Sequence, residues 1–306
     1  MANYTAKDVA ALRERTGVGM MECKKALVEA DGDPEKAIVV LRERGLAAQA
    51  KKSGRIAAEG IVFACADNEK KVGAIIEVNS ETDFVAKNDL FVNFVKNAAA
   101  CVVESNPADV DALKECTVAS EGKKIGEILS DLVLRIGENI QIRRFEKLSG
   151  LLFPYIHGDG RIGVVVTLES DIAPEKLAEC GKDVAMQVAA MNAPYLNRDV
   201  VPAEVLESEK NIMLAQMAED PKMANKPDAV KSKIVDGKIS KYYTENCLVD
   251  QAFVKDGDMT VQQYVDSVAK NLGGSIKVAS FIRYERGEGI QKREDNFADE
   301  VASMIK

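Results

Sequence analysis

The fold of this chain is organised around the stretch Glu77-Val78-Asn79-Ser80-Glu81-Thr82-Asp83-Phe84-Val85-Ala86-Lys87-Asn88. An apolar run over residues 72–78 leads into it and predicts a β-strand. Beyond the stretch, apolar residues recur at spacings of three and four, as on one face of an amphipathic helix: Leu90, Phe91, Phe94, Val95 and Ala98. Thr82, Asp83 and Phe84 are therefore predicted to lie on a strand-to-helix connection, a kind of loop that often carries function.

Two interpretations of this connection are open. In the first, Asp83 accepts N–H hydrogen bonds at the start of the helix, and Phe84 folds back onto its own helix as a hydrophobic staple. In the second, Phe84 lies on an exposed turn beside a carboxylate and inserts into a pocket of a partner protein. Spacing alone favours the first interpretation, because capping residues and staples are common at helix starts.

Composition limits the class of protein. The chain has 306 residues, of which 46% are hydrophobic and 29% charged, and its net charge is −8. These values are typical of a soluble globular protein with two or three domains. The acidic balance argues against direct nucleic-acid binding, and no apolar run approaches the ~20 residues of a membrane span. We therefore expect neither nucleic acid nor membrane as a partner.

The N-terminus and the cysteines predict a cytoplasmic protein. The first eight residues contain no apolar signal core. The six cysteines are scattered along the chain without a CxxC pair, as is typical of reduced thiols in a cytosol.

Residues 1–46 predict a bundle of three short helices. Thr5-Ala6-Lys7-Asp8 resembles a capping box at the start of the first helix, and two glycines within residues 16–19 end that helix. Asp33 is placed to cap the third helix, with Pro34 at its first position.

The third helix is expected to stop near Gly45, because glycine disfavours a helix interior. Residues 47–58, rich in alanine and lysine, are interpreted as a linker that is helical in its first half and presents a solvated basic face.

Met20 and Met21 open the second helix. Adjacent residues on a helix cannot point the same way, so at least one of the two is expected to face outward. Flexible thioether side chains adapt well to partner surfaces. The alternative is that both methionines pack between the helices.

The rest of the chain contains an internal repeat. Gly60-Ile61-Val62-Phe63 and Gly150-Leu151-Leu152-Phe153 lie 90 residues apart, as do Val72-Gly73-Ala74-Ile75-Ile76 and Ile162-Gly163-Val164-Val165-Val166. Each copy predicts a strand, a turn, a second strand and a helix.

A further strand closes each copy of the repeat. It is Ile142-Arg143-Arg144-Phe145-Glu146 in the first copy and Phe281-Ile282-Arg283-Tyr284-Glu285 in the second. These strands lie 139 residues apart, so the second copy holds an insertion of about 49 residues. We therefore predict an α+β fold whose core consists of two related antiparallel-sheet subdomains, residues 59–147 and 148–286.

The insertion predicts a helical hairpin over about residues 198–244. Prolines at positions 202, 221 and 227 mark the starts and breaks of two helices. The first arm is acid-rich and the second is lysine-rich, so the two arms attract each other. Several apolar side chains are then available to pack against another chain: Val205, Ile212, Met213, Ile234 and Ile239.

Residues 287–306 predict a short C-terminal helical module. Its amphipathic stripe consists of Phe297, Val301, Met304 and Ile305. A stripe of this kind usually packs on the core of its own protein.

No sequence motif indicates an enzyme. The one histidine, His157, lies in a predicted hairpin turn, where we expect it to be solvated. The chain has no histidine pair or CxxC for zinc, no GxxxxGK[ST] phosphate loop and no GxSxG nucleophile elbow. We therefore expect a non-enzymatic protein that binds no nucleotide, cofactor or metal ion by itself.

Two stretches resemble the signatures of the elongation factor Ts family, the nucleotide-exchange factors of the GTPase elongation factor Tu. One is residues 77–88, and the other is Arg13-Glu14-Arg15-Thr16-Gly17-Val18-Gly19-Met20-Met21-Glu22-Cys23-Lys24-Lys25-Ala26-Leu27. The likeness runs nearly end to end. It implies an N-terminal module of the ubiquitin-associated type and a coiled-coil hairpin that supports a homodimer and hence a 2:2 complex. It also implies a C-terminal helix that grips the GTPase domain of elongation factor Tu.

The resemblance further implies roles for individual residues. Phe84 would be a wedge between helices of the GTPase domain close to its magnesium site, with Asp83 beside it. The remaining residues assigned to partner binding are Thr82 and Val85 in the same motif, Arg13, Met20 and Met21 near the guanine pocket, and Ile136 and His157 outside the GTPase domain. Ile136 fits a buried helix position equally well. The alternative function is that of a dimeric adaptor whose helical module binds a helix without changing nucleotide binding.

Overall fold

The computed structural model of the protein describes residues 3–220, 223 and 226–291. The fold is mixed α+β. Its helices are α1 Ala6–Thr16, α2 Met20–Glu29, α3 Pro34–Lys52, α4 Asp83–Ala86, α5 Asp89–Ser105, α6 Val110–Glu115, α7 Ile125–Ile136, α8 Pro174–Met191, α9 Ala203–Glu219, α10 Asp228–Asn246 and α11 Val261–Leu272. Its strands are β1 Glu59–Asp67, β2 Val72–Ser80, β3 Thr117–Val118, β4 Lys123–Lys124, β5 Gln141–Ser149, β6 Leu151–His157, β7 Ile162–Ser170, β8 Ala252–Phe253, β9 Asp256–Thr260 and β10 Ile276–Glu285.

Local capping explains the starts of α1 and α3. The Thr5 side chain accepts from the Asp8 N–H, and the Asp8 carboxylate accepts from the Thr5 N–H at 2.7 Å, which confirms the predicted capping box. Asp33 accepts from the N–H groups of Glu35 and Lys36, with Pro34 at the first helical position, as predicted. The three helices enclose a small core made chiefly of Val9, Leu12, Val18, Cys23, Ala26, Leu27, Ala37 and Leu41.

The third helix does not stop near Gly45, as the sequence suggested, but continues to Lys52. Gly45 is buried against α7, and a Cβ atom built on it would lie 3.0 Å from the carbonyl oxygen of Ser130. The glycine is therefore explained by the close approach of two helices. The predicted boundary at residues 46 and 47 falls inside α3, whose last turns carry the basic segment.

Two three-stranded antiparallel sheets carry the repeat. The strand order is β1-β2-β5 in the first sheet and β6-β7-β10 in the second. β1 pairs with β2 from Glu59–Ser80 to Asp67–Val72, and β6 pairs with β7 from Leu151–Leu168 to His157–Ile162. The strands lie where the repeat predicts them, and both copies arrange them in the same order. The predicted alignment of the closing strands is three residues out, because Ile75 pairs with Glu146 and its counterpart Val165 pairs with Ile282, 136 rather than 139 residues further along.

Helices cover each sheet and bury its apolar face. In the first sheet, α5 packs on β2 and β5 and α7 packs on α5, and Phe91, Phe94 and Val95 are buried as the helical spacing predicts. Leu90, predicted on the same stripe, is exposed instead. In the second sheet, α8 and α11 enclose a separate core whose buried residues include Phe153, Leu168, Leu177, Val184, Val265 and Ile276.

The two sheets contact each other through a shared apolar cluster. It consists of Val62, Ala64 and Ile75 from the first sheet with Leu152, Val165 and Tyr284 from the second. The Val62 N–H donates to the Gly160 carbonyl at 2.8 Å, which holds the β6–β7 turn against β1. At the opposite end of β1, the Asn68 side chain binds both the N–H and the carbonyl of Leu152, at 2.8 and 3.0 Å.

The inserted segment forms a helical hairpin of α9 and α10. Met217, Val235 and Ile239 are buried between the two arms. Backbone hydrogen bonds close the root of the hairpin: Tyr195 donates to the Asn246 carbonyl at 3.2 Å, and Leu248 donates to the Tyr195 carbonyl at 2.9 Å. The insertion therefore leaves and rejoins the core at neighbouring points.

The chain turns after β10 at Gly287–Ile290, where the Ile290 N–H donates to the Gly287 carbonyl at 3.0 Å. The predicted C-terminal helix, with Phe297, Val301, Met304 and Ile305, lies outside the described residues. In the part of the chain that the structure describes, no helix is long and apolar enough to span a membrane.

Candidate partner-binding site

The connection between β2 and α5 contains a one-turn helix, α4, that presents Phe84 to solvent. The Phe84 residue is 81% exposed. The staple interpretation is therefore wrong, since a staple would bury the ring on its own helix. The next two residues, Val85 and Ala86, are buried in the core between the first sheet and its helices, and their burial fixes the turn on that core.

Asp83 does not cap α5, so the capping part of that interpretation is also wrong. Asn88 is the N-cap, and its side chain accepts from the Leu90 N–H at 2.9 Å. Asp83 is exposed and lies 3.7 Å from the ammonium of Lys87. Exposed ion pairs of this kind contribute at most about 1 kcal/mol. The carboxylate is thus free to meet a partner beside the Phe84 ring.

The carboxylate of Glu138, two residues beyond the end of α7, binds the residues that precede Phe84. Its Oε2 accepts from the N–H groups of Glu81 and Thr82 at 3.1 and 3.0 Å. Its Oε1 accepts from the Thr82 hydroxyl at 2.7 Å. Sequence reasoning missed Glu138, because nothing local indicates that a side chain 56 positions away binds Thr82.

A second carboxylate, Glu81 in the turn itself, accepts a hydrogen bond from the segment after α7. Glu81 accepts from the Asn139 N–H at 2.6 Å, and its other neighbour is the Arg55 guanidinium at 3.4 Å. Burial lowers the pKa of the nearby Lys52 ammonium and Arg55 lowers it further, while Glu81 and Glu138 oppose that shift. The end of α3, the segment after α7 and the Phe84 turn therefore meet in one polar cluster.

The start of α2 supplies a second exposed apolar feature. Met20 is 43% and Met21 62% exposed, so both methionines face outward, and the alternative that both pack between helices is wrong. The inner face of α2 is already filled by Cys23, Ala26 and Leu27.

Arg13 lies exposed near the end of α1, where its carbonyl accepts from the Gly17 N–H at 2.7 Å. Gly17 has a φ of +66°, and the Arg135 guanidinium occupies the space that a Cβ atom would need. This contact places the loop between α1 and α2 against the end of α7. Since Arg135 is three residues from Glu138, the α1–α2 loop and the Phe84 turn both contact the region where α7 ends.

Ile136 and His157 differ in exposure. Ile136 is half-buried against the core of the first sheet. This agrees in part with the alternative that it occupies a buried helix position. His157 is the last residue of β6 rather than part of the turn, and it is exposed, with its Nδ1 3.0 Å from the Tyr155 hydroxyl. The turn that follows His157 packs on β1 through the Gly160–Val62 hydrogen bond. The start of β1 pairs with Ser80, which precedes the Phe84 turn, whereas His157 lies on a strand of the second sheet.

Glu77 is a buried carboxylate on β2 that sequence analysis gave no role. It accepts from Arg144 Nε at 2.7 Å, from Arg143 Nη1 at 3.0 Å and from the Gly287 N–H at 2.8 Å. Burial raises the pKa of Glu77, but the hydrogen bonds from Gly287, Asn79, Arg144 and Arg143 outweigh it and leave the pKa lowered. The segment after β10 is thereby tied to the first sheet. An acidic residue inside an apolar strand was the available sequence signal.

The described residues offer little for covalent or metal chemistry. Within residues 3–220, 223 and 226–291, no group of three or more His, Cys, Asp or Glu side chains is arranged to hold a metal ion. All six cysteines are free. Burial raises the pKa of Cys101, Cys180 and Cys247 to about 11, which keeps these thiols protonated and weakly nucleophilic.

Comparison with known proteins gives consistent matches along the chain. A family model described as Elongation factor TS matches residues 81–288. The chain is 51% identical over 306 residues to Elongation factor Ts of Clostridium kluyveri, covering 99% of each protein. It is 50% identical over 305 residues to Elongation factor Ts of Clostridium botulinum, covering 98% of each.

Proposed function

The chain belongs to the elongation factor Ts family, and from this premise we propose that it binds elongation factor Tu in its GDP-bound form and promotes release of the GDP. The observation that carries the proposal is the Phe84 ring, held in solvent beside Asp83 on a turn that the core anchors and two carboxylates bind. An exposed aromatic side chain on an ordered turn is the usual form of an interface anchor.

The mechanism follows from linkage between two binding sites. An exchange factor needs only to bind the nucleotide-free GTPase better than the GDP-bound one, and it then weakens GDP binding by the same factor. Phe84 would insert between helices of the GTPase domain near the magnesium ion that holds the β-phosphate. Asp83 would displace groups that order that ion. The exchange factor itself is not consumed and carries out no bond-making step.

Phe84 alone is too small a contribution. Burying one Phe side chain yields about 1.5–3 kcal/mol. A 10⁴-fold faster release requires about 5.5 kcal/mol at 1.36 kcal/mol per decade. The rest would come from distributed contacts, for which Met20 and Met21 on α2 and the exposed Arg13 on α1 are placed to meet a helix near the guanine pocket.

Other assigned residues would act in different ways. Val85 is buried, so we propose that it supports the turn rather than touching the partner. The Thr82 hydroxyl donates its hydrogen bond to Glu138, so we assign Thr82 the same supporting role. His157 is exposed and would contact elongation factor Tu outside the GTPase domain. Ile136, half-buried, would contribute there only through its exposed edge.

The domain organisation supports a larger assembly. We propose that the two sheets with their helices are two related subdomains, residues 59–147 and 148–286, that present the site together with the N-terminal bundle. Ile212 on the outer side of the hairpin is 48% exposed. Contact between hairpins of two copies would give a homodimer and a 2:2 complex in the cytoplasm, where elongation factor Tu acts.

A labelled-GDP release assay tests the function. Elongation factor Tu is loaded with a fluorescent GDP analogue, and release is followed with excess unlabelled GDP, with and without this protein. We expect concentration-dependent acceleration. An adaptor would bind elongation factor Tu, as seen by gel filtration, without accelerating release, and that pair of results would refute the proposal.

A further inference from the structure

We propose that Glu138 is a positioning residue for nucleotide exchange, which holds the Glu81–Thr82 backbone so that Phe84 is presented in the orientation that the partner receives. This inference rests on the proposed function. Glu138 lies outside the motif of residues 77–88 and follows α7, so neither its sequence position nor its helix connects it with Phe84.

The geometry of Glu138 is specific to the turn. Its two carboxylate oxygens receive three hydrogen bonds, two from consecutive backbone N–H groups and one from the Thr82 hydroxyl. Hydrogen bonds to a carboxylate are stronger than those between neutral groups. Both backbone N–H groups precede the first helical residue Asp83, so the contacts fix the chain immediately before Phe84.

Thr82 shows that this arrangement replaces an ordinary helix cap. Thr82 is the N-cap residue of α4, a position where threonine commonly accepts from an N–H group of the first turn. Here its side chain makes no capping hydrogen bond, and the hydroxyl donates to Glu138 instead. The hydrogen bond therefore ties the turn to the segment after α7 rather than to its own helix.

The internal repeat provides a comparison within the same molecule. The corresponding connection after β7 also has a carboxylate, Asp171, which accepts from the Ser275 N–H at 2.7 Å just as Glu81 accepts from Asn139. In that second connection the Ile172 N–H donates to the nearby Ser170 hydroxyl at 3.0 Å. Among the described residues, a further carboxylate from a distant part of the chain binds the connection that carries the exposed phenylalanine, and none binds the second connection.

The functional consequence is preorganisation. A turn that is already ordered loses less conformational freedom when its side chain is buried in a partner. Without Glu138, the ring of Phe84 would remain exposed but would sample several directions. Binding would then select a minor population, and the apparent affinity would fall by that fraction.

Three variants separate this role from general stability. Glu138→Ala removes all three hydrogen bonds. Glu138→Gln retains them, because its amide oxygen can accept from the two N–H groups and its NH₂ can donate to the Thr82 hydroxyl oxygen. Asp171→Ala is a control for the loss of a carboxylate that orders a turn, since Asp171, the counterpart of Glu81, binds the connection that lacks a phenylalanine.

We expect Glu138→Ala to lower kcat/KM for stimulated GDP release about tenfold, equivalent to about 1.4 kcal/mol. Glu138→Gln and Asp171→Ala should stay within about twofold of wild type. Hydrogen exchange should show faster exchange of the Glu81 and Thr82 amides in Glu138→Ala alone. If Glu138→Ala is too unstable to assay, Thr82→Val, which removes only the hydroxyl hydrogen bond, should give the same change in smaller measure.

A double-mutant cycle with Phe84→Ala tests whether Glu138 acts through the ring. In the Phe84→Ala background, adding Glu138→Ala should cost less than about twofold. An undiminished tenfold loss there, or a Glu138→Gln protein as impaired as Glu138→Ala, would overturn the positioning role. If wild-type protein does not accelerate release at all, the proposed function fails. If wild type is active and Phe84→Ala impaired while Glu138→Ala behaves as wild type, only the present inference fails.

Discussion

Replacement of Phe84 by alanine separates a binding role of the ring from a structural one. Because the residue is 81% exposed, only about a fifth of its surface is buried in the fold, and the substitution removes only that buried part. At about 1.5–3 kcal/mol for complete burial, the expected loss in stability is about 0.3–0.6 kcal/mol. In a chain of this size that corresponds to a shift in melting temperature of less than about 2 °C.

The expected effect on exchange is much larger. If the ring is buried only in the complex, its loss removes about 1.5–3 kcal/mol of binding energy. This corresponds to a decrease of about tenfold to a hundredfold in stimulated GDP release. Melting by circular dichroism and release of a fluorescent GDP analogue should be measured on the same preparations.

Phe91 is the matched control, seven positions further along the same segment. It is fully buried on α5, so Phe91→Ala should destabilise the protein by about 3–5 kcal/mol. The fraction that remains folded should still accelerate release at close to the wild-type rate. The reasoning would be refuted by the opposite pattern: a Phe84→Ala protein that is strongly destabilised but whose folded fraction exchanges normally.

Three further predictions concern the rest of the chain. Calorimetry on the isolated protein should detect no stoichiometric binding of GDP or GTP, since the sequence has no phosphate loop; a micromolar site would contradict this. Excision of residues 198–244 with a short bridge should leave a cooperative thermal transition and exchange activity while reducing self-association, because the hydrogen bonds at Tyr195 and Leu248 close the root; a non-cooperative melt would show that the hairpin is part of the core. The lowered pKa of Glu77 means that its stabilising contribution is present above its unfolded-state value near 4.5 and is lost as pH falls through the folded-state value. Urea unfolding between roughly pH 6 and pH 3 should therefore show a steeper loss of stability for wild type than for Glu77→Gln, and parallel curves would exclude this role of the ionised carboxylate.

Local signals in the sequence predicted local structure well. The Thr5–Asp8 capping box and the Asp33–Pro34 helix start involve partners within three positions, so the sequence contains the whole interaction. The repeat placed the strands of both sheets, because a strand's alternation and its bounding turns are also local. The same reasoning misjudged Gly45, since glycine at that position reflects a helix packed across from it at Ser130.

The candidate site shows the same division. The motif itself, the exposed Met20 and Met21 and the turn around Phe84 could be located from sequence. Spacing alone favoured a staple at Phe84, because the helical pattern of residues 90–98 contains no information about which way the preceding ring points. Val85, which the family resemblance groups with the binding residues, is buried in the fold, a feature that the motif does not reveal.

The sequence by itself therefore determined the α+β class, the repeat, the position of the inserted hairpin and the family. Tertiary structure alone decided that Phe84 faces solvent, that Glu138 binds the turn before it and that Glu77 is buried among arginines. The reason is physical. Each of these features depends on hydrogen bonds or packing between residues more than fifty positions apart, and such contacts exist only once the chain has folded.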